Sequence, residues 1–575
     1  MIRIFLIIAV YMASMLFCTE LSAQVSQIDT ERSLLPEIDP QDIEIRSQFQ
    51  ARFPGLRRQP ILGFNPRPRV FQTDPNRLPF IESEDVVAAN LPVGSLTRPD
   101  APVFTPLGYS MPKNAFFRGG IGSEISPEAD LYAMSRLGNN NWISGNATLR
   151  SSDGHDERVT TSYRYFDASI KSYNRFSDRT DLTLSAGVHS NFNHMLQLNS
   201  EIEDLLNVDT KVASTGFNGT SSLHIANTSL SGVKLSLNGF VNKYQTQSGL
   251  SSLNGDADEW EIDFDVDYSR LGSNINEIHS LRFENKTGSI KPLFMDHNLW
   301  SVSTLSAQYE RLFNYRTDVN VSFGVSGVTD AIDDFTFYIS PKLEFKHRFF
   351  TGFNIRGLLS ASPSHQNFSK LQMENRFFDF QSELMHQYEK KVLGEILLEP
   401  FYGTKILAGV SFQDVKNFQY YSRSENPVTG LNIEEGYYTA NFSRANMLRV
   451  FGGVSQDLRP DVLWMSADGY WQLPKLSNGD RIPYAETFSI KASVSVRPVK
   501  KALLEGWGEF SGFRENHLGE KLPSYTTIGG KFEISVSERV GVYGKLLNLL
   551  NEEYELWSGY NERGFQGFVG FTVLF

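Results

Sequence analysis

The chain has 575 residues, a formal charge of −12 and an aromatic content of 13%. That acidic balance excludes a nucleic-acid partner, because binding phosphates needs clustered Lys and Arg. Its single cysteine, Cys18, excludes a disulfide framework and thiolate metal sites from the exported chain.

Residues 1–23 read as a secretory signal. Arg3 forms a short basic start, the stretch from Ile4 to Phe17 is apolar, and Leu21-Ser22-Ala23 precedes Gln24, so cleavage is expected after Ala23. No later run supplies the roughly 20 apolar residues of a spanning helix. An exported chain without thiols, rich in alternating segments and aromatic residues, points to the outer membrane of a Gram-negative cell.

Residues 24–113 hold 13 of the 24 prolines. Proline lacks the N–H that a sheet ladder needs, so this region is expected to be an irregular periplasmic or lumenal segment. Arg46, Arg52, Arg57, Arg58, Arg67 and Arg69 lie here, with no acidic residue between Arg46 and Thr73. They make a basic ribbon in an acidic protein.

From Asn114 to Phe575 the pattern changes to a period of two. Leu182, Leu184, Ala186 and Val188 alternate with Thr183, Ser185 and His189. The same holds for Val233, Leu235 and Leu237 against Lys234, Ser236 and Asn238, and for Phe488, Ile490, Ala492, Val494 and Val496 against Ser489, Lys491, Ser493 and Ser495. Turn-forming pieces such as Asn478-Gly479-Asp480 separate the runs. Each strand with its connection takes about 21 residues, which suits about 22 tilted strands of a membrane barrel. A sheet of that size cannot remain open in lipid, since its edges would leave N–H and C=O groups unsatisfied at several kcal/mol each. The expected fold is therefore all-β: one large transmembrane antiparallel barrel over 114–575, apolar side chains outward and polar ones inward. The zones 194–211 and 365–390 do not alternate cleanly.

Within this region Glu259, Glu261, Asp263, Asp265 and Asp267 alternate with Trp260, Ile262, Phe264, Val266 and Tyr268. If the apolar row meets lipid, five carboxylates line the interior about 7 Å apart. Bases on adjacent strands, for instance Lys234, Lys243 and Arg282, could balance them. Alternatively the arginine ribbon from Arg46 to Arg69 enters the lumen and pairs with this row. Trp300, Tyr420, Tyr421, Trp464, Tyr470, Trp471, Trp557 and Tyr560 suit the aromatic girdles of a membrane barrel, or for some of them a place in outer loops, stacked on a ligand. Residues 417–438 form a long polar and aromatic connection, suited to extracellular recognition.

No catalytic pattern stands out. The ten histidines are scattered, with no zinc spacing, and there is no phosphate loop. No enzyme activity, metal or other cofactor is expected.

The last strand, ending Gly564-Phe-Gln-Gly-Phe-Val-Gly-Phe-Thr-Val-Leu-Phe575, places Val569, Phe571, Val573 and Phe575 on one face. It resembles the assembly signal that outer-membrane barrels offer to the insertion machinery. The stretches 548–554 (NLLNEEY), 522–546 and 374–421 resemble the barrel of a TonB-dependent receptor. That resemblance implies a barrel of roughly 22 strands with a lumen normally plugged. Receptors of this family carry a globular plug and a TonB-contacting box. Here only about 90 residues precede the barrel, too few and too rich in proline for that plug. Asp29 to Ser33 is a poor match to the box, which puts TonB coupling in doubt. Transport or uptake across the outer membrane is the first expectation. The alternative is a non-transporting barrel that scaffolds an outer-membrane complex, with a lipoprotein or another protein as partner.

Overall fold

The computed structural model describes residues 114–575 apart from 139, 154–161, 195–210, 229–230, 248–254, 273–275, 315, 331–334, 424–436 and 460–461. The signal peptide, the proline-rich segment and its six arginines therefore lie outside the described residues.

Among the described residues there are twenty-six strands, numbered in chain order, of which 22 form one antiparallel sheet. The sheet closes where β1 (Ala115–Gly122) pairs with β26 (Gln566–Leu574), in a register that sets Phe117 opposite Val573 and Ile121 opposite Val569. Closure leaves no free edge, as lipid requires. The expected strand number and the single closed barrel are both found.

Connections at the two ends of the ring differ in length. At the end holding Asn114 and Phe575 they span two to five residues. The turn between β12 (Thr336–Phe350) and β13 (Phe353–Ser364) is an example, where Gly352 takes a φ of +89° that a side chain would strain. At the other end they span three to 22 residues. Short turns face the periplasm and long loops the outside in membrane barrels, so the second end is the outer one.

The two-sided wall is visible along β18 (Phe488–Val499), where Ile490 and Val494 are exposed while Ser489 and Ser495 are each 1% exposed. Lys491 turns inward and meets Glu509 of β19 (Ala502–Ser511) at 3.0 Å. The zone around 365–390 fails to alternate because it contains a 22-residue connection with the helix α1 (Phe368–Glu374), placed before β14 (Gln387–Leu398).

The girdle expectation needs correction. Trp300, Tyr421, Trp557 and Tyr560 are buried in the core cluster at the outer mouth. Tyr470 donates to Glu486 and lies under Arg449. Trp471, at 43% exposure, keeps an outward position. Alternation tells which residues share a face. It does not tell whether a loop later covers the inner one.

Candidate functional site

The inner wall and the outer mouth together form the region where a ligand would meet this barrel. The strand β8 (Gly255–Leu271) carries the acidic row on its inner face, with Ile262, Phe264 and Tyr268 exposed on the other. The five carboxylates do not share one environment.

Toward the periplasmic end the neighbouring strand β9 (Glu277–Lys291) supplies the counter-charges. The Arg282 guanidinium donates to both oxygens of Asp265 at 2.9 Å, and Lys286 Nζ lies 3.3 Å from Asp263. Arg282 stands directly opposite Asp267 in the ladder. Of the bases nominated from sequence, Arg282 pairs with the row, whereas Lys243 points outward to Asp256 at 2.8 Å. Lys234 faces Asp267 in register on β7 (Ser231–Gln247). The contribution of Lys286 was missed, although it shares a face with Arg282 and a β8–β9 register would have revealed it.

Toward the mouth, Glu259 and Glu261 are 1% and 3% exposed. They receive the connection between β13 and β14. Glu259 accepts hydrogen bonds from the backbone N–H of Phe368 at 2.7 Å and of Ser369 at 3.2 Å, and from the Tyr244 hydroxyl at 2.7 Å. Glu261 accepts from Asn367 Nδ2 at 2.7 Å and lies 3.0 Å from His365 Nε2. Asn367 is also the N-cap of α1, accepting from the Lys370 N–H at 2.8 Å. Glu259 and the cap residue Asn367 thus satisfy the free N–H groups of a helix too short to stand alone, while Glu261 holds the cap residue's amide in place.

Beyond α1 the chain turns its aromatic run into the mouth. Phe380 stacks on Tyr244 at 4.4 Å, and Phe377 stacks on Tyr560 at 3.6 Å. Tyr560 belongs to a short ribbon, β24 (Glu555–Trp557) with β25 (Tyr560–Asn561), in the connection that precedes β26. Backbone bonds join Asp379 N to Tyr438 O and Tyr438 N to Phe377 O, at the start of β16 (Tyr438–Arg459). Arg376 reaches Glu562 at 2.8 Å. One segment therefore touches β8 and β16, strands eight places apart in the ring, and can do so only by crossing inside it. Phe368, Phe378, Phe380 and Tyr560 are fully buried there.

Burial also shifts the ionisable groups of this connection. Glu374 is pushed up to about 7, although the Tyr421 hydroxyl and the Gln419 amide donate to it. Burial, with Lys286 and against the pull of Glu261 and Glu374, brings Lys370 down to about 8. Burial, aided by His365 and Lys370, brings His386 down to about 3. Among the described residues no group of three or more His, Cys, Asp or Glu is arranged to hold a metal ion.

The carboxy-terminal face is where the sequence put it: Val569, Phe571 and Phe575 are 63%, 48% and 65% exposed, and Val573 is half-buried beside Phe117. Of the suggested recognition segment 417–438, residues 417–423 end β15 (Thr404–Arg423) and Tyr438 begins β16. Its centre lies outside the described residues.

No protein-family model and no curated protein matches the sequence. Solved structures do. The iron transporter FrpB from Neisseria meningitidis superposes with a TM-score of 0.64 at 9% identity, over 81% of this chain and 82% of that one. The siderophore receptor PirA from Acinetobacter baumannii gives 0.62 at 10% identity, over 80% of each chain. The ferric yersiniabactin uptake receptor FyuA from Yersinia pestis gives 0.60 at 11% identity, over 81% of this chain and 80% of that one. At such identities the likeness is one of fold. The barrel shares the fold of these transport receptors, with the 22 strands that the carboxy-terminal motifs implied.

Proposed function

We propose that the protein is an outer-membrane uptake barrel that admits a ligand through its outer mouth. The observation that carries this reading is the mouth itself. A receptor-type barrel with a charged inner wall is crossed by its own β13–β14 connection, which is held by side-chain contacts and a few backbone bonds and is no part of the wall ladder. The similar proteins are named for iron, siderophore and ferric yersiniabactin transport, so metal chelates are the first class to test. Nothing in the site asks for catalysis. Any coupling to TonB would act through residues before Asn114. The same region holds the arginine ribbon, which we propose enters the lumen toward the acidic row. The test is ligand-dependent protection of residues 365–386 from proteolysis, in whole cells supplied with a panel of iron and copper chelates. Protection or uptake that vanishes on deleting the gene supports the reading. No response from any chelate, with normal growth of the deletion strain, removes it.

The dry packing of the mouth favours a second reading, because Phe378, Phe380, Tyr438 and Tyr560 are as buried as a protein core. A permanently closed barrel suits a scaffold subunit that holds a lipoprotein or another protein in the outer membrane. Stable co-purifying proteins together with an absence of uptake would select it.

A further inference from the structure

The wall has a seam. The strands β12 and β13 pair from Phe350 and Phe353 up to Lys342 and Ser360, and there the ladder stops. Both strands continue beyond it. Residues 336–341 go on pairing with β11 (Thr317–Thr329), and 361–364 go on pairing with β14. Among the described residues this is the longest stretch over which two adjacent barrel strands both extend toward the outer end without pairing each other.

The cause lies in two prolines. Successive N–H groups along a strand address alternate neighbours. Arg348 donates to the Arg316 carbonyl on the β11 side, so the odd-numbered Ile339 and Pro341 address β13. Glu399 donates to the Gly352 carbonyl, so even positions of β13 address β14 and the odd-numbered Ala361 and Pro363 address β12. Continuing the register would set Pro341 against Ala361 and Ile339 against Pro363. Each pair would need a donor from a residue that has none.

One side chain replaces a missing donor. Tyr388 of β14 reaches across β13 and gives its hydroxyl to the Ile339 carbonyl at 2.6 Å, the acceptor that Pro363 cannot serve. The Tyr388 ring stacks on Tyr338 at 4.4 Å, and Lys416 Nζ donates to the Tyr338 hydroxyl at 3.2 Å. Below the stop, by contrast, the ladder is intact and Arg356 of β13 bonds Glu344 of β12 at 2.8 Å. The lower seam is fixed by backbone, and the upper seam by rotatable phenols.

The surroundings indicate what meets this opening. Phe337 and Ile339 are 61% and 51% exposed on the bilayer side. Lys390 and Lys416 share the outward parity of the exposed Val392 and Phe412, and both are exposed. Arg444, beside them, carries Asp414 on its guanidinium at 2.7 Å. Three cations and one anion thus sit on the outer wall above an apolar face. A partner strand is disfavoured, because proline at an edge blocks ladder pairing.

We propose that the upper β12–β13 seam is a lateral port between the barrel interior and the outer leaflet, gated by Tyr388, and that it takes an anionic lipid bearing acyl chains. The tail lies along Phe337 and Ile339, and the phosphate meets Lys390 and Lys416. The port rests on the wall geometry alone and stands whether or not chelates enter through the mouth.

The test uses the full chain with Cys18→Ser in nanodiscs. Nitroxides are placed at Ile339→Cys and Ala361→Cys, and in a reference protein at Leu343→Cys and Gly357→Cys, the same diagonal of the same two strands where the ladder is intact. Dipolar broadening should be weaker at the seam than in the reference, and weaker again with Tyr388→Phe. A phosphatidic acid carrying a diazirine in its acyl chain should label 336–341 at least threefold more than the outer face of β18. That excess should be lost in the Lys390→Gln, Lys416→Gln variant, with heat-modifiable mobility showing that the barrel remains closed. Seam broadening equal to the reference, or lipid labelling spread evenly around the wall, would overturn the proposal.

Discussion

Phe377 and Tyr560 stack with ring centroids 3.6 Å apart and planes 14° from parallel, although they come from the connections before β14 and before β26. This contact joins two chords drawn across the mouth. Truncating a fully buried Phe to Ala costs about 3 to 5 kcal/mol. Phe377 is one of six apolar residues by which this connection joins the buried cluster, and its loss opens a cavity at the contact with Tyr560. In Phe377→Ala, amide protection over 365–386 should fall about a hundredfold while protection of the wall strands stays unchanged, as hydrogen exchange would show.

The acidic row should show two different costs within one strand. Glu259 is buried and accepts from Phe368 N, Ser369 N and the Tyr244 hydroxyl. Glu259→Leu strands these donors at about 1 to 3 kcal/mol each. Its effect should be release of the mouth segment, read as new protease cleavage between 365 and 386. Arg282 is about half exposed, and its pair with Asp265 is that of a hydrated surface. Removing such a pair costs between about 0 and 1 kcal/mol, so Arg282→Ala should leave both the cleavage pattern and the urea midpoint nearly unchanged.

Docking of the mouth segment should depend on pH through Glu374. Its docked pKa, about 7, is raised above the ordinary value of 4.5. The docked state therefore holds a proton that the released state gives up. This contribution is complete below about 4.5 and is lost as pH rises to about 7. His386 acts in the opposite sense: its docked value of about 3 lies below the ordinary 6.5, so acid favours release as pH falls below 6.5. Hydrogen exchange of Glu374→Gln should therefore show a better protected segment than wild type at pH 8, and equal protection near pH 4. A pH response identical to wild type would assign the titration elsewhere.

Charge placed on the lipid face should be penalised far more than charge placed inside. Val569 lies on the outer face of the closing strand at 63% exposure. An Arg there costs up to about 2 to 4 kcal/mol, depending on depth. Val569→Arg should lower the unfolding midpoint in lipid and slow the appearance of the heat-modifiable folded band. Ser466→Arg, on the inner face where Ser466 meets Ser493, should do neither.

Wall and mouth differ in how well the sequence reveals them. Residues 488–496 declare both faces of β18 because strand geometry alone fixes a period of two. The acidic row was equally plain, and its neighbour Arg282 was within reach. The fate of Glu259 and Glu261 was not, since their partners Asn367, Phe368 and Ser369 follow more than 100 residues later, in a stretch without period. Trp300, Tyr421, Trp557 and Tyr560 misled for a related reason: an aromatic ring at a strand end suits a lipid interface and a buried mouth equally well. Pro341 and Pro363 were visible all along. Only the register shows that both nitrogens face the same gap.

The most direct test of the two-sided wall is a nitroxide scan of residues 488 to 496, one cysteine at a time, in a Cys18→Ser background reconstituted in lipid. Accessibility to oxygen, which concentrates in the bilayer, should peak at 488, 490, 492, 494 and 496. Accessibility to a water-soluble nickel chelate should stay low at those five positions and rise at the more open inner sites, 491 and 493. Water-like accessibility at all nine positions, with no alternation, would contradict the account.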